Sequence, residues 1–358
     1  MGNDTVVLDY SLDNDGVKIL LTTSKSQTAY QIFNKSLQLN NKIFALRENI
    51  QNTKLDPRPL AKELYDILLA PVAKDLEANQ AKTIMLSLVG TLRYLPFGVL
   101  YDGNSYIAEK YRTVMYASVA KDKVILPAKE SWKVAALGVS DKVHADFAAL
   151  PGVADELKGI VRSDTGGIIP GEIRLNKNFT ESTMKESAKR NSVTHIASHF
   201  KFAPGTDRDS FLLLGDGSTM SLERIRNGSF FQESELLTLS ACETAMGTTG
   251  KGIEIEGFGA IAMNQGAKSV IATLWPVSDN STAMLMKEFY RLKEEKKLPK
   301  VEALRQAQLA LLNGTIQAPP KESSPERGSD RKRYSPDTTK PYSHPYYWAP
   351  FILMGNWK

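Results

Sequence analysis

The hydrophobic pattern of the first third of the chain predicts a hairpin, then helices, then short strands. Residues 6–12 and 17–22 are rich in β-branched and apolar side chains and flank an Asp15-Gly16 turn, which is typical of two antiparallel strands. Residues 31–80 carry the spacing of amphipathic helices. Two further apolar runs predict short strands: residues 84–89 and 113–116.

From residue 133 onward, short apolar runs alternate with segments of helical spacing. Strands are predicted over residues 133–139, 193–199, 236–242, 269–274 and 348–353. Helices are predicted over residues 154–162, 182–190, 257–265, 281–296 and 300–312. This alternation predicts an α/β fold with a mostly parallel sheet covered by helices on both faces. A length of 358 residues predicts about two domains.

Charge and composition exclude several classes of protein. A net charge of +5 is too small and too evenly spread to indicate a nucleic-acid-binding protein. No apolar window approaches the ~18 residues of a membrane span, and the N-terminus has no secretory signal. Residues 317–343 are rich in Pro, Ser and charge, and we expect a flexible loop there. The alternative is that this segment contacts nucleic acid through the basic residues Arg331, Lys332 and Arg333.

The single cysteine, Cys242, is the most restrictive feature of the composition. One thiol makes no internal disulfide and no Cys-rich zinc site, which indicates a reducing, cytoplasmic compartment. Cys242 ends a predicted strand, and ligands of open parallel sheets bind beyond the carboxyl ends of strands. Its position alone leaves two interpretations open, an inert core residue or a reactive nucleophile.

His199 also ends a predicted strand, and this favours the nucleophile. Adjacent parallel strands ending in His and Cys would place an imidazole beside the thiol and let it take the thiol proton. Backbone amides of Cys242 and of Phe200, in the turn after His199, would then bind the oxyanion. A structural role for His199 is the alternative. His195 forms an H-x-x-x-H pair with His199, but a strand without a third ligand predicts no metal, and His195 is expected in the core.

Four segments together resemble one known family, the CHAT domain, a peptidase domain related to caspases and separases. They are residues 194–199 (THIASH), 239–247 (LSACETAMG), 266–279 (GAKSVIATLWPVSD) and 344–351 (HPYYWAPF). The N-terminal hairpin and residues 92–97 are also similar to the family. The resemblance therefore extends over nearly the whole chain.

The resemblance implies a fold and an activity. The fold would be a caspase-like three-layer α/β/α sandwich over residues 132–358, preceded by a pseudo-protease-like α/β subdomain over residues 1–131. The activity would be that of a cysteine endopeptidase without cofactor, with His199 and Cys242 as the catalytic dyad. A substrate pocket is expected near Glu243, Trp275 and Asp279.

Two departures from the family pattern bear on the site. The family has glycine after the catalytic histidine, whereas this chain has Phe200, which is expected to restrict the turn and to hold the oxyanion hole unformed until activation. Separases follow the Trp motif with alternating aspartates that recognise a basic residue, whereas here Asn280 follows Asp279. The residue before the scissile bond is therefore as readily apolar or polar as basic. Asp279 is explained equally well as a pocket residue or as the cap of a helix.

The resemblance also implies partners. These are a protein substrate and a regulatory TPR module or CRISPR ribonucleoprotein, because some relatives are effectors of type III-E CRISPR complexes in bacterial defence. The Met1-Gly2 start and the lack of TPR repeats lead us to expect a domain excised from a longer prokaryotic protein. The alternative to an enzyme is a catalytically silent interaction module that keeps the fold, for which Phe200 is the main argument.

Overall fold

A computed structural model provides the structure of the chain. It describes residues 2, 4–14, 16–33, 36–116, 127, 131–164, 166–201, 203, 208–232, 234–240, 253–277, 279–316, 334 and 337–358.

Fourteen strands lie within the described residues. They are β1 (Thr5–Leu12), β2 (Gly16–Thr22), β3 (Gln27–Phe33), β4 (Thr83–Ser87), β5 (Arg112–Met115), β6 (Val134–Gly138), β7 (Gly171–Leu175), β8 (Val193–Ala197), β9 (Phe200–Lys201), β10 (Phe211–Leu213), β11 (Thr219–Ser221), β12 (Leu236–Leu239), β13 (Ser269–Thr273) and β14 (Phe351–Gly355).

Eleven α-helices lie within the same ranges. They are α1 (Ser36–Gln51), α2 (Arg58–Leu68), α3 (Ala73–Ala78), α4 (Ile107–Lys110), α5 (Gly152–Ile160), α6 (Glu181–Arg190), α7 (Leu222–Asn227), α8 (Ile253–Gln265), α9 (Asp279–Glu295), α10 (Lys300–Leu312) and α11 (Pro345–Trp348). Each helix in these ranges is too short or too polar to cross a lipid bilayer.

One large sheet organises the molecule. Its eleven strands run in the order β3-β2-β1-β4-β5-β14-β13-β12-β8-β6-β7. Neighbouring strands are parallel except at β3-β2, β2-β1 and β14-β13. Every residue of β6, β8, β12, β13 and β14 is buried, so helices and loops cover both faces of the central strands. The predicted α/β fold with a mostly parallel sheet is confirmed.

The antiparallel contact between β13 and β14 separates β14 and the strands parallel to it, β5, β4 and β1, from a second group that runs in the opposite direction. The second group, β13-β12-β8-β6-β7, is parallel throughout, so the carboxyl ends of its strands lie along one edge. The C-terminal strand β14 returns to pair with β5 at Met354 and Met115. Residues 1–131 and 132–358 therefore share one continuous sheet, and the boundary between them stays a prediction.

Several elements differ from the sequence prediction. Residues 31–33 continue strand β3, although their spacing suggested the start of a helix. Residue 348 ends helix α11 rather than beginning a strand, because Pro345 starts a helical turn and β14 begins only at Phe351. Strands β3 and β7, the small β11-β10-β9 sheet and helix α7 were not predicted. β3 leaves both of its faces partly or fully exposed, and the other elements are short with a weak apolar pattern.

Candidate active site

The two strands that precede His199 and Cys242 are direct neighbours. β8 and β12 are parallel, with Thr238 opposite His195 and Leu239 opposite Ile196. The main chain extends this pairing by one step, because the Ser240 N–H donates to the Ile196 carbonyl at 2.8 Å. The adjacency expected from the sequence is thus present. Cys242 and Glu243 themselves lie outside the described residues.

His199 follows the carboxyl end of β8 and is 6% exposed. Its Nε2 lies 2.8 Å from the carbonyl oxygen of Ala148, which accepts the hydrogen bond. A carbonyl has no proton to give, so Nε2 carries the hydrogen and Nδ1 is the basic nitrogen of the neutral ring. The Phe147 ring stacks at a tilt on the imidazole, with centroids 4.9 Å apart. The ring is therefore fixed in both tautomer and plane.

The loop that carries Ala148 and Phe147 is shaped by its own hydrogen bonds. It leaves β6, and the Val139 N–H donates to the Ala197 carbonyl at 3.0 Å, which holds it beside the end of β8. The Leu150 N–H closes the loop onto the Ser140 carbonyl at 2.9 Å. The loop thus leads directly into helix α5 and presents one carbonyl to His199.

Gly138, at the end of β6, allows α5 to approach this edge. A Cβ at this position would lie 2.6 Å from Val153 Cγ1 and 3.0 Å from Leu157 Cδ1, both on α5. It would also lie 3.1 Å from the Ala197 carbonyl oxygen of β8. Glycine is needed here because the helix packs against the strand end at van der Waals distance.

Phe200 begins β9 and is buried. It lies opposite Leu212 of β10 in an extended conformation that any residue adopts, and its φ is not among the positive values of the chain. A side chain at this position therefore introduces no backbone strain, which differs from the restricted turn expected from the sequence. Its role in an oxyanion hole stays a prediction.

Trp275 lies just beyond the end of β13, along the same edge as His199. It is 1% exposed, and its indole Nε1–H donates to the Tyr346 carbonyl at 3.1 Å. The Arg47 guanidinium lies over its ring, 5.6 Å from the centroid. In this structure Trp275 is a packed group. Asp279 is the first residue of α9, which begins two residues before the predicted start at residue 281, and its side chain lies outside what the structure describes.

The motif at residues 344–351 is packed within the hydrophobic core. The His344 Nε2–H donates to the Leu55 carbonyl at 3.0 Å, and its Nδ1 accepts from the Tyr346 N–H and caps α11. Burial lowers the pKa of His344, so the ring is held neutral. Trp348 is fully buried and donates to the Ser343 carbonyl at 3.1 Å. This motif therefore joins the C-terminal strand to the N-terminal third.

A buried polar network lies beneath the strand ends, and the sequence did not predict it. Glu156 of α5 accepts from His195 Nε2 at 3.0 Å and from Ser240 Oγ at 2.8 Å through the same oxygen, Oε1. The Tyr290 hydroxyl of α9 lies 3.2 Å from His195 Nδ1 and 3.1 Å from Thr238 Oγ1. Burial raises the pKa of Tyr290, so the phenol keeps its proton. His195 is thus a core residue, as expected.

Glu156 could have been recognised in the sequence by its place on α5. Val153, Leu157 and Ile160 form the apolar stripe of this helix, and Glu156 lies within the stripe rather than opposite it. A carboxylate on a buried face needs buried donors. Which donors it would find depends on strands that follow about 40 and 80 residues later.

A cavity of about 30 Å³ lies elsewhere in the molecule, between α10 and the strands β4, β5 and β14. Its walls are mainly apolar, with Arg305 and Gln308 at one side. No residue of the His199 environment lines it, so it is separate from the candidate active site.

Several solved structures are similar to the chain at low identity. The Arg-specific cysteine proteinase gingipain R has 8% identity and a TM-score of 0.45, with 84% of this chain and 66% of that chain covered. The separase–securin complex of Saccharomyces cerevisiae has 10% identity and a TM-score of 0.47, with 90% of this chain and 23% of that chain covered. The chain thus spans less than two thirds of the length of either protein. No curated protein matches it.

A family comparison gives the assignment. The family model described as the CHAT domain matches residues 58–356, which is more than half of the chain and includes β8, β12, His199 and the Trp275 and His344 segments. The chain belongs to the CHAT-domain family.

Proposed function

We propose that this chain is a cysteine endopeptidase that cleaves a specific protein partner through a His199–Cys242 dyad. The observation that carries the proposal is the register of β8 and β12. Ile196 and Leu239 are paired, and His199 and Cys242 each follow three residues later. If the two segments continue side by side beyond β8 and β12, the imidazole and the thiol lie within reach of each other at the carboxyl edge of the sheet.

The environment of His199 supports a role as base. Because the Ala148 carbonyl takes the Nε2 hydrogen, Nδ1 is the nitrogen that would receive the thiol proton. The Phe147 ring limits rotation of the imidazole.

In the proposed reaction, Nδ1 of His199 removes the proton from Sγ of Cys242, and the thiolate attacks the peptide carbonyl carbon. The carbonyl π electrons move to oxygen, and backbone N–H groups of Cys242 and Phe200 stabilise the oxyanion. As the carbonyl reforms, the C–N bond breaks and the imidazolium protonates the leaving amine. A thioester acyl-enzyme remains, which water, deprotonated by His199, hydrolyses to release the acid and the free thiol.

Substrate selection and regulation are parts of the same proposal. We place the residue before the scissile bond near Glu243 and Asp279, which follow β12 and β13 along the chain. Trp275 is 1% exposed and would support this region by packing rather than contact the substrate. An upstream sensor module, such as TPR repeats or a CRISPR ribonucleoprotein, would control cleavage in bacterial defence. The proposed compartment is the cytoplasm, where the single thiol stays reduced.

Cleavage of proteins tests the proposal. Wild type, Cys242→Ala and His199→Ala are each incubated with a bacterial proteome and with proteins of neighbouring genes, and new N-termini are identified by mass spectrometry. The proposal predicts N-termini that appear with wild type and disappear with both variants. Cleavage that persists in Cys242→Ala would contradict the mechanism. An intact proteome, together with wild-type and variant chains that bind the same partner equally, would favour the silent interaction module.

A further inference from the structure

Helix α5 fixes both strands that lead to the proposed dyad. Glu156 is 3% exposed, and its Oε1 accepts hydrogen bonds from His195 of β8 and from Ser240 after β12. A single oxygen therefore ties the two strands to the helix at one point. His195 and Ser240 are themselves 0% and 3% exposed, so water does not replace these bonds.

Ser240 is the last described residue before Cys242, two positions away. Its N–H is bound to the Ile196 carbonyl and its hydroxyl to Glu156, so both its main chain and its side chain are held. The segment that precedes α5 holds His199 in the same way, through the Ala148 carbonyl. One continuous segment therefore contacts His199 through residue 148 and Ser240 through residue 156.

We propose that Glu156 is a positioning residue for Cys242, acting through the hydroxyl of Ser240. The inference rests on the proposed peptidase dyad and adds a residue to it. Glu156 holds the end of β12 in position. This determines the distance and direction of the thiol relative to His199, whose imidazole is oriented by the segment before the same helix. Its described hydrogen-bond partners are His195 and Ser240, so it would act on the dyad through them.

The physical basis is the strength and placement of these bonds. Hydrogen bonds accepted by a carboxylate are generally stronger than those between neutral groups. Nucleophile and base must hold their geometry closely, because a displacement of about 1 Å can lower a rate by about a hundredfold. Loss of the Ser240 bond would leave the strand end held only by its main chain.

The test uses alkylation of Cys242 by iodoacetamide, since the chain has one cysteine and the reaction needs no known substrate. Second-order rates are measured against pH for wild type, Ser240→Ala, Glu156→Leu, Glu156→Gln and His199→Ala, with circular dichroism to establish folding. Glu235→Gln is the matched control, because Glu235 is also fully buried, adjoins the opposite end of β12 and pairs with Lys268 at 2.6 Å.

We expect Ser240→Ala and Glu156→Leu to lower the rate at neutral pH by about three- to tenfold and to move its rise to higher pH. Glu156→Gln keeps the Oε1 acceptor and should remain within about twofold of wild type, as should Glu235→Gln. If Glu156→Leu does not fold, Ser240→Ala alone tests the positioning role, because it removes only the hydroxyl that binds Glu156.

The outcomes separate this inference from the function on which it rests. A Ser240→Ala profile equal to that of Glu235→Gln, with a slowed His199→Ala, overturns the positioning role and leaves the dyad intact. A His199→Ala rate equal to that of wild type overturns the dyad and the positioning role with it.

Discussion

Lys300 is a single residue that lowers the stability of the fold, because no carboxylate in the described ranges lies at hydrogen-bonding distance from its ammonium. It is the first residue of α10 and is fully buried, and its ammonium lies 3.5 Å from Asn356 Oδ1. Burial lowers its pKa to about 8, against an ordinary value of 10.5, and the nearby Lys293 and Lys268 add to the effect while Glu235 opposes it. A positive charge at a helix N-terminus is also unfavourable.

We predict that Lys300→Met stabilises the chain at pH 7. The folded state binds the Lys300 proton less tightly than the unfolded state, so the free energy of unfolding of wild type should rise between about pH 8 and pH 10.5. Below pH 8 the whole penalty, on the order of 3 kcal/mol, is present, and the variant escapes it. Urea unfolding of both proteins across this range checks the prediction. A constant difference between pH 7 and pH 10.5 would contradict it.

The sequence predicted that the strands before His199 and Cys242 are neighbours, whereas the dyad itself stays a prediction. The pairing of a strand-end histidine with a strand-end cysteine needs only the order of the strands, and the adjacency of β8 and β12 agrees with it. The partners of these residues could not be predicted, because Ala148, Glu156 and Tyr290 come from a loop and two helices far along the chain. Such contacts depend on the tertiary fold rather than on a motif.

At the scale of elements, the close contact of β6 with α5 determines the position of the edge that carries His199. Both the Ala148 carbonyl and the Glu156 carboxylate depend on where α5 lies. At Gly138 the strand has no room for a side chain against the helix. A shift of the helix would therefore displace two supports of the site together.

We predict that Gly138→Ala destabilises the fold by about 1–3 kcal/mol, because the added Cβ overlaps Val153 and Leu157 and forces α5 outward. Gly159→Ala in the same helix is the control. Its Cβ would meet Lys287 Cδ at an ordinary 3.5 Å, and alanine favours the helix by about 1 kcal/mol. Thermal unfolding should order the proteins Gly159→Ala, wild type, Gly138→Ala, from most to least stable. Equal stability of the two variants would refute this.

Strong apolar periodicity predicted most elements of the second half, including β6, β8, β13 and α10, within a few residues. Segments with a weak or mixed apolar pattern were not predicted as strands or helices. Strand β3 contains Gln27, Thr28 and Gln31 and leaves Phe33 82% exposed, so its inner face is marked only by the partly buried Tyr30 and Ile32. The β11-β10-β9 sheet consists of strands of two or three residues, whose pairing is decided by the chain around them.

At the scale of the whole molecule, Arg47 connects the N-terminal third to the strand edge of the candidate site. It is a buried residue of α1, and it donates to the Tyr94 carbonyl at 2.7 Å and to the Leu274 carbonyl at 3.0 Å. Its guanidinium also lies over the Tyr94 and Trp275 rings. Burial lowers its pKa to about 10. It remains charged at neutral pH and satisfies two buried carbonyls at once.

We predict that Arg47→Lys lowers the stability of the entire chain by about 1–3 kcal/mol, because one ammonium cannot serve both carbonyls in the fork geometry. All four tryptophans lie at or beyond residue 132, so their fluorescence reports on the second part, while far-ultraviolet circular dichroism reports on both. The shared sheet predicts that both probes show one common transition, which moves to lower urea concentration in the variant. A shift in circular dichroism alone would indicate that residues 1–131 unfold separately.

The His199–Cys242 dyad is the central proposal, and the reactivity of Cys242 tests it most directly. Iodoacetamide alkylation at neutral pH is compared for native wild type, native His199→Ala and denatured wild type. An assembled dyad predicts that native wild type reacts about tenfold or more faster than His199→Ala and faster than the denatured chain. Equal rates for native wild type and His199→Ala would contradict the account.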